Sequence, residues 1–178
     1  MLFYLAYGSN LHRLRLADRV PSAKLVGPVE LPGRRIAFHK LSTDGSGKAN
    51  LLESGCEEDV AWGAVYQLAP AHVARLDRAE GLGNGYDRSR ILVRLGETQY
   101  DCFIYSAARS HIDDSLRPYL WYKEFVLAGA RYLCLPQCYI DSLARVESID
   151  DPLEDRAASN GDFLERMRRM PSAIAGKC

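Results

Sequence analysis

The 178-residue sequence has no surplus of either charge: 23 Lys and Arg stand against 23 Asp and Glu. Proteins that hold nucleic acid or an anionic membrane by bulk electrostatics usually carry a basic excess, so neither partner is expected. No apolar run approaches the ~20 residues that a membrane-spanning helix needs. The opening MLFYLAYGSN lacks the basic segment and long apolar stretch of a secretory leader and reads as a strand that begins at once. The cysteines (Cys56, Cys102, Cys134, Cys138, Cys178) are odd in number and scattered, which suits reduced thiols in a cytoplasm better than a disulfide framework. Repeats, low-complexity tracts and metalloprotease-type histidine pairs are missing too. Cys134 and Cys138 have three residues between them rather than the two of a zinc knuckle, and no second pair follows. Gly81, Gly83 and Gly85 are followed by no Lys-Ser/Thr and preceded by no strand, so they are not a phosphate loop. Neither a metal nor an organic cofactor is expected.

What is present is ordinary globular composition, 47% hydrophobic and 26% charged, in a length that fits one compact domain. Residues 2–7 are apolar and aromatic, and GSN stops them, which predicts a buried, central strand. Asn10 is placed to cap a short helix over NLHRLRLAD, closed by Pro21. Strands are expected over 22–31 and 34–40, separated by Pro32-Gly33, and the Gly/Ser-rich residues 42–49 read as a loop. A strand over 60–68 precedes a helix with Pro70 in its first turn. Residues 89–95 and 99–105 form a hairpin around Gly96-Glu97. Helices follow Pro118 and Pro136. This pattern of about six strands and then helices predicts an α+β fold with a curled or closed sheet. Residues 148–162 read as a linker, so the domain is placed at 1–147 and a linker with a C-terminal tail at 148–178.

Two constellations carry chemistry. Tyr7-Gly8-Ser9-Asn10 lies between a buried strand and a helix start, where Gly8 permits close approach and successive N–H groups can hold a carboxylate or an oxyanion. The competing reading is that Gly8 makes a turn and Asn10 is only a cap. Glu80, at helical spacing, falls between Val73 and Leu76 on the apolar face of its helix, with Arg75 and Arg78 pointing elsewhere. A lone carboxylate there would be desolvated, its pKa raised, and suited to act as a base. The competing reading makes Glu80 an exposed residue at a fraying helix end.

Together these residues resemble a family. Tyr7-Gly8-Ser9-Asn10-Leu11, the segment Leu76-Asp77-x-x-Glu80-Gly81, Gly85-Tyr86 and Tyr122-Lys123 are similar to the signature of the γ-glutamylcyclotransferases, over roughly residues 3–146. The resemblance implies a small mixed β-barrel flanked by helices. It implies that Tyr7, Gly8, Ser9, Asn10 and Leu11 form the substrate-holding loop, that Glu80 is the general acid/base, and that Tyr86 and Tyr122 line the pocket. The implied activity is cyclisation of a γ-glutamyl amino acid or amide to 5-oxoproline with release of an amine, in a cytoplasmic monomer or homodimer acting in glutathione metabolism. The residue types suit that reaction, because the substrate's own α-amine is the nucleophile and the protein needs only a proton carrier and an anion holder. The alternative from another class is a non-catalytic ligand-binding or regulatory module on the same fold.

Overall fold

The computed structural model describes residues 1–173. Among them the chain forms β1 (Leu2–Ala6), a 3₁₀ turn at Ser9–Leu11, α1 (Arg13–Arg19), β2 (Lys24–Pro32), β3 (Arg34–Leu41), β4 (Gly47–Glu53), β5 (Val60–Leu68), α2 (Pro70–Glu80), β6 (Tyr86–Leu95) and β7 (Thr98–Ala107). Three helices follow: α3 (Leu120–Tyr132), α4 (Gln137–Ala144) and α5 (Glu154–Arg168). Five strands make one sheet in the order β2-β5-β1-β7-β6, and β3 pairs with β4 in a second. β1 lies in the middle, antiparallel to β5 and parallel to β7, with Leu5 and Ala6 fully buried. Its central place follows from a sequence with no charge to solvate.

The fold is α+β, as expected, but the sheet does not close into a barrel. Its two edges come near each other: a Cβ on Gly27 of β2 would sit 2.8 Å from Leu95 Cδ2 of β6. No ladder joins them. β2 carries Pro28 and Pro32, which have no N–H to donate and which confine a strand to an edge. The seventh strand, β4, begins inside the Gly/Ser-rich stretch read as a loop and runs on through Ala49 and Leu51, which are buried.

Residues 154–162, part of the stretch read as a linker, instead open α5, whose Leu164 and Met167 pack on Phe125 and Ala128 of α3. Cys56, Cys102 and Cys138 carry free thiols, and Cys178 lies outside the described residues. No helix among the described residues is long and apolar enough to cross a membrane.

Candidate active site

Glu80 is placed by the way its helix stops. Pro70 opens α2 at a position where a missing N–H costs nothing. Gly81 then takes a left-handed backbone (φ 69°), and its N–H and that of Leu82 return to the carbonyls of Arg78 and Asp77. Val73 and Leu76 bury the apolar face, and Glu80 emerges at the helix end, half-buried, with its side chain 15% exposed.

The carboxylate is not alone there. Asn10 Nδ2 donates to its Oε1 at 2.8 Å, and Arg19 Nη1 of α1 donates to the same oxygen at 2.5 Å. Arg19 also reaches Asn10 Oδ1 at 3.2 Å, and Asn10 Nδ2 lies 3.1 Å from the hydroxyl of Tyr4. Among the described residues both of these bonds to Glu80 fall on Oε1. The expectation of an unpaired carboxylate is corrected by Arg19, which comes from a different helix.

Asn10 joins this network instead of capping α1. That cap is His12, whose Nδ1 accepts from the N–H of Leu14 at 3.1 Å. Gly8 has φ −112°, outside the left-handed region. Its service is space, since a Cβ there would lie 3.1 Å from Ala49 Cβ and 3.4 Å from the Tyr122 hydroxyl.

Of the site residues named from the sequence, Tyr7, Gly8, Ser9, Asn10, Glu80, Tyr86 and Tyr122 wall one small cavity of about 20 Å³, room for a water molecule. Leu11 is not among them. It is wholly buried, packs against Gly129 of α3 and accepts the Tyr66 hydroxyl at its carbonyl. The walls that the sequence did not point to are Tyr4, Ala49 and Tyr105. Burial pushes the phenols of Tyr4, Tyr7, Tyr86, Tyr105 and Tyr122 above the ordinary tyrosine value, which keeps them as neutral hydroxyls at neutral pH. Glu80 is therefore the single anionic side chain on those walls.

The tyrosine hydroxyls hold the backbone around the cavity. Tyr7 donates to the Tyr105 carbonyl at 2.5 Å. Tyr86 donates to the carbonyl of Ala49 at 2.6 Å, and Tyr122 accepts from the N–H of Ala49 at 3.2 Å. The β3–β4 register breaks between Ala37 and Lys40 and passes over Ala49, so the two phenols stand in for its ladder partners.

Past Ser9, Glu80, Tyr86 and Tyr122 the cavity adjoins an outer basin of about 160 Å³, also walled by Arg15, Arg19, Lys40, Lys48 and Trp121. A larger cavity of about 620 Å³, with Trp62 and Tyr139 in its walls, shares no residue with the Glu80 site.

Known proteins resemble this chain over most of its length. Mouse γ-glutamylcyclotransferase is 30% identical over 165 residues, covering 85% of each chain. The chain belongs to the γ-glutamylcyclotransferase family. The bovine enzyme is 29% identical, covering 83% of this chain and 79% of its own. The AIG2-like family matches residues 60–143, the stretch from β5 through Glu80 and Tyr122 to α4. A solved structure described as a γ-glutamyl cyclotransferase superposes with a TM-score of 0.79 at 24% identity, covering 93% of this chain and 98% of that one. At that identity it speaks for the fold alone.

Proposed function

We propose that the protein is a γ-glutamylcyclotransferase-type enzyme that closes a γ-glutamyl compound to 5-oxoproline and releases an amine. The observation that carries this reading is Glu80: one anionic side chain on the cavity walls, beside the Tyr7–Asn10 loop and held through Oε1 by Asn10 and Arg19.

The chemistry asks little more of the protein. The substrate's α-amine attacks its own γ-carbonyl carbon, a C–N bond forms to close the five-membered lactam, and the original amide C–N bond breaks. Glu80 takes the proton from the attacking nitrogen and returns it to the leaving nitrogen. Charge that develops on the carbonyl oxygen needs donors. The opening amides of the 3₁₀ turn at Ser9–Leu11 have no intrahelical partner and suit that role, although the Leu11 N–H is spent on the Gly8 carbonyl at 3.0 Å. Tyr7, Gly8, Ser9, Asn10, Tyr86 and Tyr122 shape the pocket, within a catalytic unit at 1–147 buttressed by α5.

The test is incubation with a panel of γ-glutamyl amino acids, amides, amines and glutathione, with 5-oxoproline read by mass spectrometry. Release from one or more members supports the reading, and release from none replaces it with the binding-module alternative.

A further inference from the structure

Trp121 walls the outer basin beside Glu80 and Tyr122 and takes no part in the inner cavity. Its indole is held from the far side. Trp121 Nε1 donates at 2.8 Å to Oδ2 of Asp151, 30 positions further along the chain and just before α5 opens. Three more donors meet that carboxylate. Arg156 Nε reaches Oδ2 and Arg156 Nη2 reaches Oδ1, each at 2.6 Å, and the N–H of Leu153 reaches Oδ1 at 2.9 Å. Four donors fill the roughly four acceptor positions that a carboxylate offers, and the Asp151 side chain exposes no surface to solvent. Arg156 holds its carboxyl below the ordinary carboxylate range, so it stays an anion.

This is more than an indole N–H needs. One partner satisfies a buried tryptophan, and a backbone carbonyl would serve without the cost of desolvating an ion pair. What the Arg156 fork adds is direction. A two-bond guanidinium–carboxylate pair fixes the plane of the carboxylate, and that carboxylate fixes where the indole N–H points. The ring is gripped from the site as well. Lys48 Nζ lies 4.8 Å from the Trp121 ring centre and 4.7 Å from that of Tyr122, and it is tied to Asp44 Oδ2 at 2.7 Å and Ser46 Oγ at 2.6 Å. Trp121 and Tyr122 meet edge to face, their centres 6.0 Å apart. The indole therefore joins the start of α5 to the wall that carries Tyr122.

We infer that Asp151, oriented by Arg156, is a positioning residue for the reaction: it sets the Trp121 indole as a rigid wall of the basin before substrate arrives. The inference rests on the cyclotransferase reading and carries the working part of the chain past residue 147. A wall ordered in advance spares the substrate the cost of ordering it. Asp151 touches neither Glu80 nor the Ser9–Leu11 turn, so its loss should weaken binding and leave the chemical step alone.

The test is a cycle of Asp151→Ala and Trp121→Phe, assayed with the γ-glutamyl compound from which 5-oxoproline is released fastest. Freeing one side chain predicts a KM higher by about 2–10-fold in Asp151→Ala, with kcat nearly unchanged. In Trp121→Phe, which has no N–H to hold, Asp151→Ala should raise KM no further. An equal rise in both backgrounds would make Asp151 an anchor for α5 only and overturn the inference, as would a loss confined to kcat. If Asp151→Ala does not fold, Arg156→Lys carries the same cycle, since it keeps the charge and loses the fork. A second readout needs no turnover. Trp62→Phe leaves Trp121 as the sole indole, and its fluorescence anisotropy should decay with the whole protein, gaining a fast component when Asp151→Ala or Arg156→Lys is added. Identical decays overturn the inference. A panel that yields no 5-oxoproline removes the cyclotransferase reading and this inference with it, whereas turnover with an additive cycle removes the inference alone.

Discussion

Arg19 Nη1 on α1 lies 2.5 Å from Glu80 Oε1 at the end of α2, and this cross-helix pair changes what a substitution at Glu80 does. Glu80→Gln is isosteric and removes the proton carrier, so turnover is expected to fall by about 10²–10⁴-fold. On the sequence alone the same change removes a desolvated, unpaired carboxylate and could leave the fold unharmed or more stable. With Arg19 only 18% exposed at its side chain, the amide leaves a guanidinium without its counter-ion, and the expected effect is a loss of about 1–3 kcal/mol. Rates of 5-oxoproline release and thermal melts on the two proteins check both signs. Near-normal turnover by the variant would remove Glu80 from the reaction.

Tyr86 and Tyr122 clamp one residue from opposite ends of its peptide groups, so their substitutions should not behave independently. Tyr86→Phe strands the Ala49 carbonyl and Tyr122→Phe strands its N–H, each at about 1–3 kcal/mol. Once one hydroxyl is gone and Ala49 has shifted, losing the second should matter less, with a coupling of about 0.5–3 kcal/mol. Urea denaturation of the two single variants and the double variant measures this. Additivity within about 0.5 kcal/mol would show that the clamp does not act as a unit. Because the Tyr86 hydroxyl is spent on the Ala49 carbonyl, turnover in Tyr86→Phe should suffer much less than in Glu80→Gln.

The residues that the sequence exposed and those it hid differ in the range of their causes. Strand β1, the hairpin β6–β7 and the stop of α2 at Gly81 follow from local pattern and turn chemistry, and they were legible. So was the meeting of Tyr7–Asn10 with Glu80, through the family signature. Arg19 was hidden because its partner is 61 positions away, beyond any helical spacing. The one available signal was the cost of an unpaired carboxylate, which calls for a cation from elsewhere. Strand β4 was hidden because it starts inside a Gly/Ser-rich turn signal, and its polar positions are held by distant or turn residues that no pattern shows: Lys48 reaches Asp44, and Asn50 bonds His39 Nε2 and the N–H of Ala107. The failure of the barrel to close was written in Pro28 and Pro32, whose missing donors make β2 an edge.

His12 is a buried histidine that caps α1. It is 1% exposed, and burial lowers its pKa to about 4. Nδ1 caps α1 as an acceptor, so the neutral ring carries its proton on Nε2, and protonating Nδ1 would destroy the cap. The unfolded chain takes up this proton near pH 6.5 and the folded chain only near pH 4. Stability from this residue is therefore complete above about pH 6.5 and drains away as pH falls toward 4. Denaturant midpoints at pH 7, 6, 5 and 4.5 should decline more steeply for the native protein than for His12→Asn, which keeps an acceptor but does not titrate. Parallel profiles would show that His12 titrates alike in the folded and unfolded chain.

Gly129 sets helix propensity against packing. In the middle of α3, alanine should stabilise by about 1 kcal/mol. Here, however, a Cβ would sit 2.6 Å from Leu11 Cβ and 3.0 Å from the backbone nitrogen of His12. The facing segment has little freedom to retreat, because the His12 ring lies 4.4 Å from that of Tyr132, centre to centre, and caps α1 below it. Overpacking against held backbone costs about 1–3 kcal/mol or more, so packing should win and Gly129→Ala should melt at a lower temperature. The strain falls on the segment that carries Ser9 and Asn10, and displacement of a reacting constellation by even ~1 Å can cost about 10²-fold. The variant should therefore lose kcat/KM as well as stability. A higher melting temperature with unchanged turnover would mean that the loop yields freely, and that α3 does not fix the position of Asn10 beside Glu80.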